Sequence, residues 1–245
     1  MSPPRLRVMT YNVRAYRDDW RAAAEVIARV EPDVLCLQEV SRRLWPGART
    51  RELAERAGLT WPEGRTRGGG TAVLTAPDLP VYAVGYARLP VPWLRGLREG
   101  VRSCSWVEVA LPGQASTARR VTVASVHLSL VADERLRHVE LIRTGVPSAD
   151  QLVIAGDINE DDAGAAWRIL GERGWTRLVS PLRPTFPAGE PVRCLDAVFA
   201  SPGLVPVPAA AGREPGDTDL EGLMSRASDH RPLWVDLTHT KPRAG

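Results

Sequence analysis

Cysteine is scarce: only Cys36, Cys104 and Cys194 occur in 245 residues, far apart and each inside an apolar stretch. That pattern excludes a disulfide framework and a cysteine-based zinc cluster, and predicts buried thiols in a reducing, cytoplasmic setting. Long apolar runs are missing too. None approaches the roughly 20 residues needed to cross a bilayer, so no transmembrane segment is expected. The opening MSPPRLRVMTYNVR has no apolar stretch and no small-residue cleavage site, so no secretory signal is expected. Lysine is nearly absent: Lys241 is the only one, and arginine carries almost all the positive charge. Repeats, low-complexity tracts and a dividing linker are lacking as well, so residues 1–245 are expected to form one mixed domain with its core at about 6–237.

What is present is ordinary in bulk. A hydrophobic fraction of 44% and a charged fraction of 25% suit a soluble protein with a sizeable core. The net charge of +3 hides an asymmetry. Residues 1–125 carry nineteen arginines against twelve acids, an excess of +7, and the remainder carries −4. Arginine's planar fork matches phosphate, which supports an anionic substrate.

Strands and helices alternate along the chain. LRVMTYNV (6–13) reads as a strand, and Asp18 or Asp19 can cap a helix whose Trp20, Ala23, Ala24, Ile27 and Val30 share one face. Glu31-Pro32 ends it, and DVLCLQEV follows as a strand. RELAERAG is a short helix. TAVLT (71–75), CSWVEVAL (104–111) and RVTVASVHL (120–128) are strands, the last two forming a hairpin. DERLRHVELIRTG is helical to Gly145. LVIA (152–155) is a buried strand, after which Asp161 or Asp162 can cap a helix through Leu170. RCLDAVFA (193–200) and PLWVDL (232–237) close the set, and the Pro- and Gly-rich stretch between them reads as a surface loop. Layers of helix over sheet follow, with antiparallel hairpins in the middle.

Several of these strands end in an acid, an amide or an imidazole. Asn12 ends the first and Glu39 the second, and His127 ends SVHL. QLVIAGDINEDD delivers Asp157 and Asn159 to its tip, Asp196 sits in an apolar strand, and Ser228-Asp229-His230 precedes the last. Each has an ordinary reading: a turn, a helix cap, a core histidine, an ion pair with Arg193. So many such groups at strand ends argue for a site, because α/β sheets place their sites there.

TYN (10–12), QE (38–39), HL (127–128), GDIN (156–159), LDAVF (195–199) and SDH (228–230), in this order, resemble the endonuclease/exonuclease/phosphatase superfamily, from about Leu6 to Leu237. The resemblance implies an α/β, DNase-I-like fold: a four-layer α/β/β/α sandwich of two mixed β-sheets. It implies hydrolysis of phosphoesters with Mg²⁺, or Mn²⁺ in its place. Glu39 is then the main metal ligand, supported by Asn12 and joined by Asp229, since magnesium takes oxygen ligands and needs only one or two carboxylates. Asp157 is the favoured general base and Asn159 orients phosphate. His230 stabilises the phosphate as an imidazolium and Asp196 fixes its tautomer; in the other reading His230 is the base. His127 is a second acid or a phosphate contact.

Substrate choice is expected to lie in the loops. Arg95, Arg98 and Arg102, with Arg88 and Trp93, form a basic stretch able to track a phosphate backbone and stack a base, and Arg14 is a further phosphate contact. A nuclease acting on DNA or RNA as a monomer is the expected function. A phosphatase or phospholipase-C-type esterase on an inositol phosphate or sphingomyelin is the alternative, and an inactive binding module a remote third.

Overall fold

The computed structural model describes residues 4–40, 47–63, 70–92, 102–111, 119–147, 151–171, 175–207 and 218–240. These contain two mixed sheets. The first runs β10 (Leu204–Pro206), β11 (Leu233–His239), β1 (Leu6–Asn12), β2 (Val34–Gln38), β3 (Thr71–Thr75). The second runs β4 (Val81–Leu89), β5 (Arg102–Ala110), β6 (Arg120–His127), β7 (Gln151–Asp157), β9 (Asp196–Ala200), β8 (Arg177–Leu178). Among the described strands only β1 with β2 and β6 with β7 pair in parallel.

The strand residues divide by parity, as the twofold alternation of a strand requires. Leu6 and Val8 meet Val107, Val121 and Val153 between the sheets, whereas Met9 and Tyr11 face the other way, into helices α1 (Trp20–Val30) and α2 (Ala48–Arg56). On the far side, Ala124, Val126 and Ile154 pack on α3 (Ala132–Gly145) and α4 (Ala165–Gly171). The result is the expected four-layer sandwich. Asp19 caps α1 by accepting from the Arg21 and Ala22 amides, and Glu31, at φ 51°, ends it before Pro32. Cys36 and Cys104 are buried free thiols and Cys194 is half-buried. No described helix is long and apolar enough to cross a membrane.

The structure departs from the sequence reading in four places. VYAVGYARL forms β4, an edge strand whose exposed face carries Tyr82, Val84 and Tyr86, so its burial alternates without any alternation of apolar and polar residues. The stretch read as a surface loop contains β10 and a helix, α5 (Thr218–Ala227), whose Leu223, Met224 and Ala227 join α1 in the core. Glu160 caps α4 by accepting from the Ala166 amide, leaving Asp161 to bind Arg193. Finally, β9 begins at Asp196, because Arg193 is bridged to Phe186 instead.

One buried ion pair ties the first sheet together. Arg7 on β1 binds Asp236 on β11 at 2.6 Å with both side chains nearly out of solvent, and Arg5 shares the same carboxylate at 2.8 Å. Asp236→Ala leaves the Arg7 charge buried without its partner, a loss of about 3–5 kcal/mol. Urea unfolding checks this, and a loss below about 1 kcal/mol, the scale of an exposed pair, would show that water reaches Arg7.

Candidate active site

Topology alone gathers the polar tips. β1 and β2 run parallel and end together at Asn12 and Gln38, with Glu39 next. β6 and β7 also end together, His127 opposite Asp157. Because β9 is antiparallel to β7, its first residue, Asp196, lies opposite Asp157. β11 is antiparallel to β1 with Leu233 opposite Thr10, which carries the preceding His230 past the end of β1. The two sheets are pinned to each other just below these tips. Gln38 Nε2 donates to Ser125 Oγ at 3.0 Å, Ser125 Oγ donates to the Leu37 carbonyl, and Thr10 Oγ1 donates to Gln38 Oε1. Each of these side chains is fully buried, so the bonds are worth more than surface ones.

The tips then touch one another. Asn12 Nδ2 donates to Asp157 Oδ2 at 3.0 Å and to Glu39 Oε1 at 3.2 Å. His127 Nε2 stands 3.5 Å from Asp157 Oδ2 and 4.0 Å from Glu39 Oε1. His230 Nε2 approaches Asp157 Oδ2 at 3.8 Å, and its Nδ1 donates to Asp196 Oδ2 at 2.8 Å. Asp157 Oδ1 accepts the Asn159 amide at 2.8 Å, while Asn159 Nδ2 donates to the Leu128 carbonyl at 2.9 Å. Glu39 and Asn159 have φ of 54° and 56°, a left-handed backbone uncommon for such residues and enriched at functional sites.

Burial and neighbours separate the charge states. Burial pushes the Asp157 carboxyl up, with a contribution from the Asp196 charge; His230 and hydrogen bonds from Asn12 and the Asn159 amide oppose this, leaving it at about 6. For His230 burial works downward. The charge and hydrogen bond of Asp196, followed by the charges of Asp157 and Asp229, outweigh it and raise the imidazole to about 10. His127 is held well below the ordinary histidine value by burial first, then by Arg102, His230 and His138. Near neutral pH the site holds one imidazolium and one neutral imidazole.

Asp157, Asp196 and His230 place ligand-type atoms within 4.8 Å of one another, but the His230 Nδ1 proton already fills the Asp196 bond. Glu39 differs: its carboxylate keeps 39% of its side-chain surface exposed, and Asn12 holds one of its oxygens. Three carboxylates (Glu39, Asp157 and Asp196) around one imidazolium would repel a phosphate unless a further cation were bound. An all-oxygen site at Glu39 fits a hard divalent cation. Asp229 is engaged elsewhere, by Arg14 Nε at 3.1 Å.

Arg14 is half-exposed and also binds Asp18 at 3.3 Å. Arg102 opens β5 and is buried, close enough to depress His127. Arg95 and Arg98 lie outside the described residues, as does Trp93. Two contributors had not been anticipated. Thr185 Oγ1 donates to Asp196 Oδ2 at 2.6 Å, and the Phe186 ring lies 5.0 Å from the His230 ring. Their PTF segment carries no periodic or charged signal, and only the fold brings it to Asp196.

Residues 9–230 match the sequence model of the Endonuclease/Exonuclease/phosphatase family. Comparison with curated proteins returned no match. Among solved structures, the chain is similar to an endonuclease/exonuclease/phosphatase from Beutenbergia cavernae, with 24% identity and TM-score 0.67 over 99% of this chain and 73% of that one. A mannosyl-6-phosphatase from Bacteroides thetaiotaomicron shares the fold at 17% identity and TM-score 0.65, over 95% and 99% of the two chains. So does ANGEL2, a 2′,3′-cyclic phosphatase, at 16% identity and TM-score 0.65, over 95% of each.

Proposed function

The chain belongs to the endonuclease/exonuclease/phosphatase family of phosphoester hydrolases, and we propose that it is a divalent-metal-dependent phosphodiesterase acting on nucleic acid as a single-domain monomer. The observation that carries the reaction type is the meeting of a buried carboxylate, Asp157, with an imidazole tied to Asp196: His230 Nε2 stands 3.8 Å from Asp157 Oδ2, in surroundings that raise Asp157 to about 6 and His230 to about 10. Groups pushed apart in this way take opposite roles.

In this reading Asp157, held in place by Asn12 and the Asn159 amide, accepts the proton of the attacking water. Its value of about 6 leaves it ionised at pH 7 yet basic enough to take that proton. His230, kept protonated by Asp196, donates Nε2–H to a phosphate oxygen as charge builds there. His127, neutral, offers a hydrogen bond and no charge, which favours a phosphate contact over an acid. Glu39, supported by Asn12, would hold Mg²⁺ or Mn²⁺, which when bound draws electron density from the phosphoryl oxygens. Protein treated with chelator should therefore fall to background and recover with Mg²⁺, measured by cleavage of plasmid DNA and of RNA. Full turnover in chelator, or recovery with zinc alone, would remove Glu39 from this role.

Nucleic acid is favoured by the +7 excess of residues 1–125 and by the half-exposed Arg14 beside the strand tips. Binding should weaken with salt by about 0.9 log unit per phosphate contact per decade. Release of phosphate from a monoester, with no cleavage of DNA or RNA, would hand the assignment to a phosphatase. The mannosyl-6-phosphatase of the same fold makes that the reading to test against.

A further inference from the structure

A cavity of about 520 Å³ lies beside the site, along the outer edge of β11. Its origin is local. β10 pairs with β11 only from Leu204 opposite His239 to Pro206 opposite Leu237, and the Val207 amide closes the ladder on the Asp236 carbonyl. Pro181, Pro184, Pro206 and Pro232 line the space, and none has an N–H with which to extend a ladder. Backbone directions alternate along a strand, so Trp234 turns its N–H and C=O to the same side as Asp236, into the cavity.

The lining has a definite chemistry. Met224, Leu233, Trp234 and Val235 supply apolar surface. Arg5, Arg7, Arg183 and Arg231 also line it, against only Asp236 and Glu221 among the described residues. Arg5 and Arg7 share the one Asp236 carboxylate, and Glu221 pairs with Arg231, so the wall carries net positive charge. The volume falls in the roughly 300–1,000 Å³ range of small-molecule sites, which combine apolar walls with a few fixed polar groups.

The cavity and the His230–Asp196 pair share a wall. Thr185 lines the cavity, donates its hydroxyl to Asp196, and accepts the Arg231 amide on its carbonyl at 2.7 Å. Arg231 follows His230 in the chain and donates Nε to the Ala188 carbonyl at 2.7 Å. The Ala188 amide in turn donates to the Asp229 carbonyl. Phe186, between these anchors, lies against His230. A ligand that moves Arg231 or Thr185 moves the support of the imidazole.

We infer that this cavity is a second binding site, for an organic anion with an apolar body, and that its occupancy is felt at His230. The probe is 8-anilinonaphthalene-1-sulfonate, which joins an aromatic body to one sulfonate, titrated into the full chain with fluorescence as the readout. One saturable site is expected, undisturbed by inorganic phosphate. Arg5→Gln combined with Arg183→Gln should bind the probe at least about tenfold more weakly, a factor worth 1.4 kcal/mol, with an unchanged melting temperature. If the pair perturbs folding, Arg183→Gln alone, at an exposed position, serves the same purpose. Saturating probe should also shift the His230 imidazole resonances in the unmodified protein, a readout that needs no turnover and so stands apart from the proposed reaction. Unchanged affinity in the variants, displacement by inorganic phosphate, or unmoved His230 resonances at saturation would overturn the inference.

Discussion

Asp157→Asn should lower kcat by about 10²–10⁴, the scale of a lost general base, while KM changes little. The amide keeps the size of the carboxyl and can still face Asn12, so the loss reports the proton acceptor and not a collapsed site. The pH dependence sharpens the test. A base must be unprotonated to act, so a residue held at about 6 gives a rate that rises through pH 6 and levels above it. A cation bound at Glu39 would draw that limb lower, because a nearby positive charge favours the carboxylate. The Asn variant should lose the acid limb altogether. If it retains near-normal kcat, or an unaltered acid limb, the proton goes elsewhere and the His230-as-base reading takes over.

The alkaline side belongs to His230 and runs in the opposite sense. Its imidazolium is needed, so activity should persist until pH approaches 10 and then fall. Asp196→Asn removes the largest of the influences that raise it, leaving burial to act downward against only the charges of Asp157 and Asp229. The alkaline limb should then move toward or below the ordinary histidine value, so that the variant is most impaired above neutrality and least impaired in mild acid. His230→Ala should have no alkaline limb. If Asp196→Asn lowered activity equally at every pH, its effect would be on packing.

How far the sequence carried this picture depended on how each feature is encoded. A buried strand writes its own signature, and QLVIAGDIN shows it: an apolar run followed at once by Asp157 and Asn159. The same holds for the Asn12, Glu39 and His127 tips, and for α1, whose apolar stripe and Asp19 cap are local. β4 was not legible because, as an edge strand, it is not buried on both faces, and Gly85 with its two alanines breaks the pattern. α5 was hidden because a short helix following a Pro- and Gly-rich stretch shows little of its apolar face before α1 is known to receive it. Thr185 could not be found at all. Its role rests on a hydrogen bond to Asp196, eleven residues away, that exists only once the Phe186–Arg193 bridge folds the segment back.

Gly156 joins fold and site most tightly, and its replacement should lower stability and rate together. It pairs with Val126 across the parallel β6–β7 ladder. A Cβ built on it would stand 2.0 Å from the Val126 carbonyl oxygen and 2.8 Å from the carbonyl carbon. No side-chain rotation relieves a clash with backbone, so β6 and β7 must part where His127 and Asp157 emerge. Overpacking a core commonly costs about 1–3 kcal/mol, and Gly156→Ala should reach or exceed the top of that range because the obstacle is the ladder itself. The variant should unfold at clearly lower urea. Any protein that still folds should have lost the 3.5 Å approach of His127 to Asp157, and with it most of kcat. Gly171→Ala is the control, since nothing lies within 4 Å of a Cβ there, and it should leave both stability and rate close to those of the parent. If Gly156→Ala behaved like that control, the β6–β7 spacing would be wider than the ladder implies, and the close approach of the two strand tips would have to be revised.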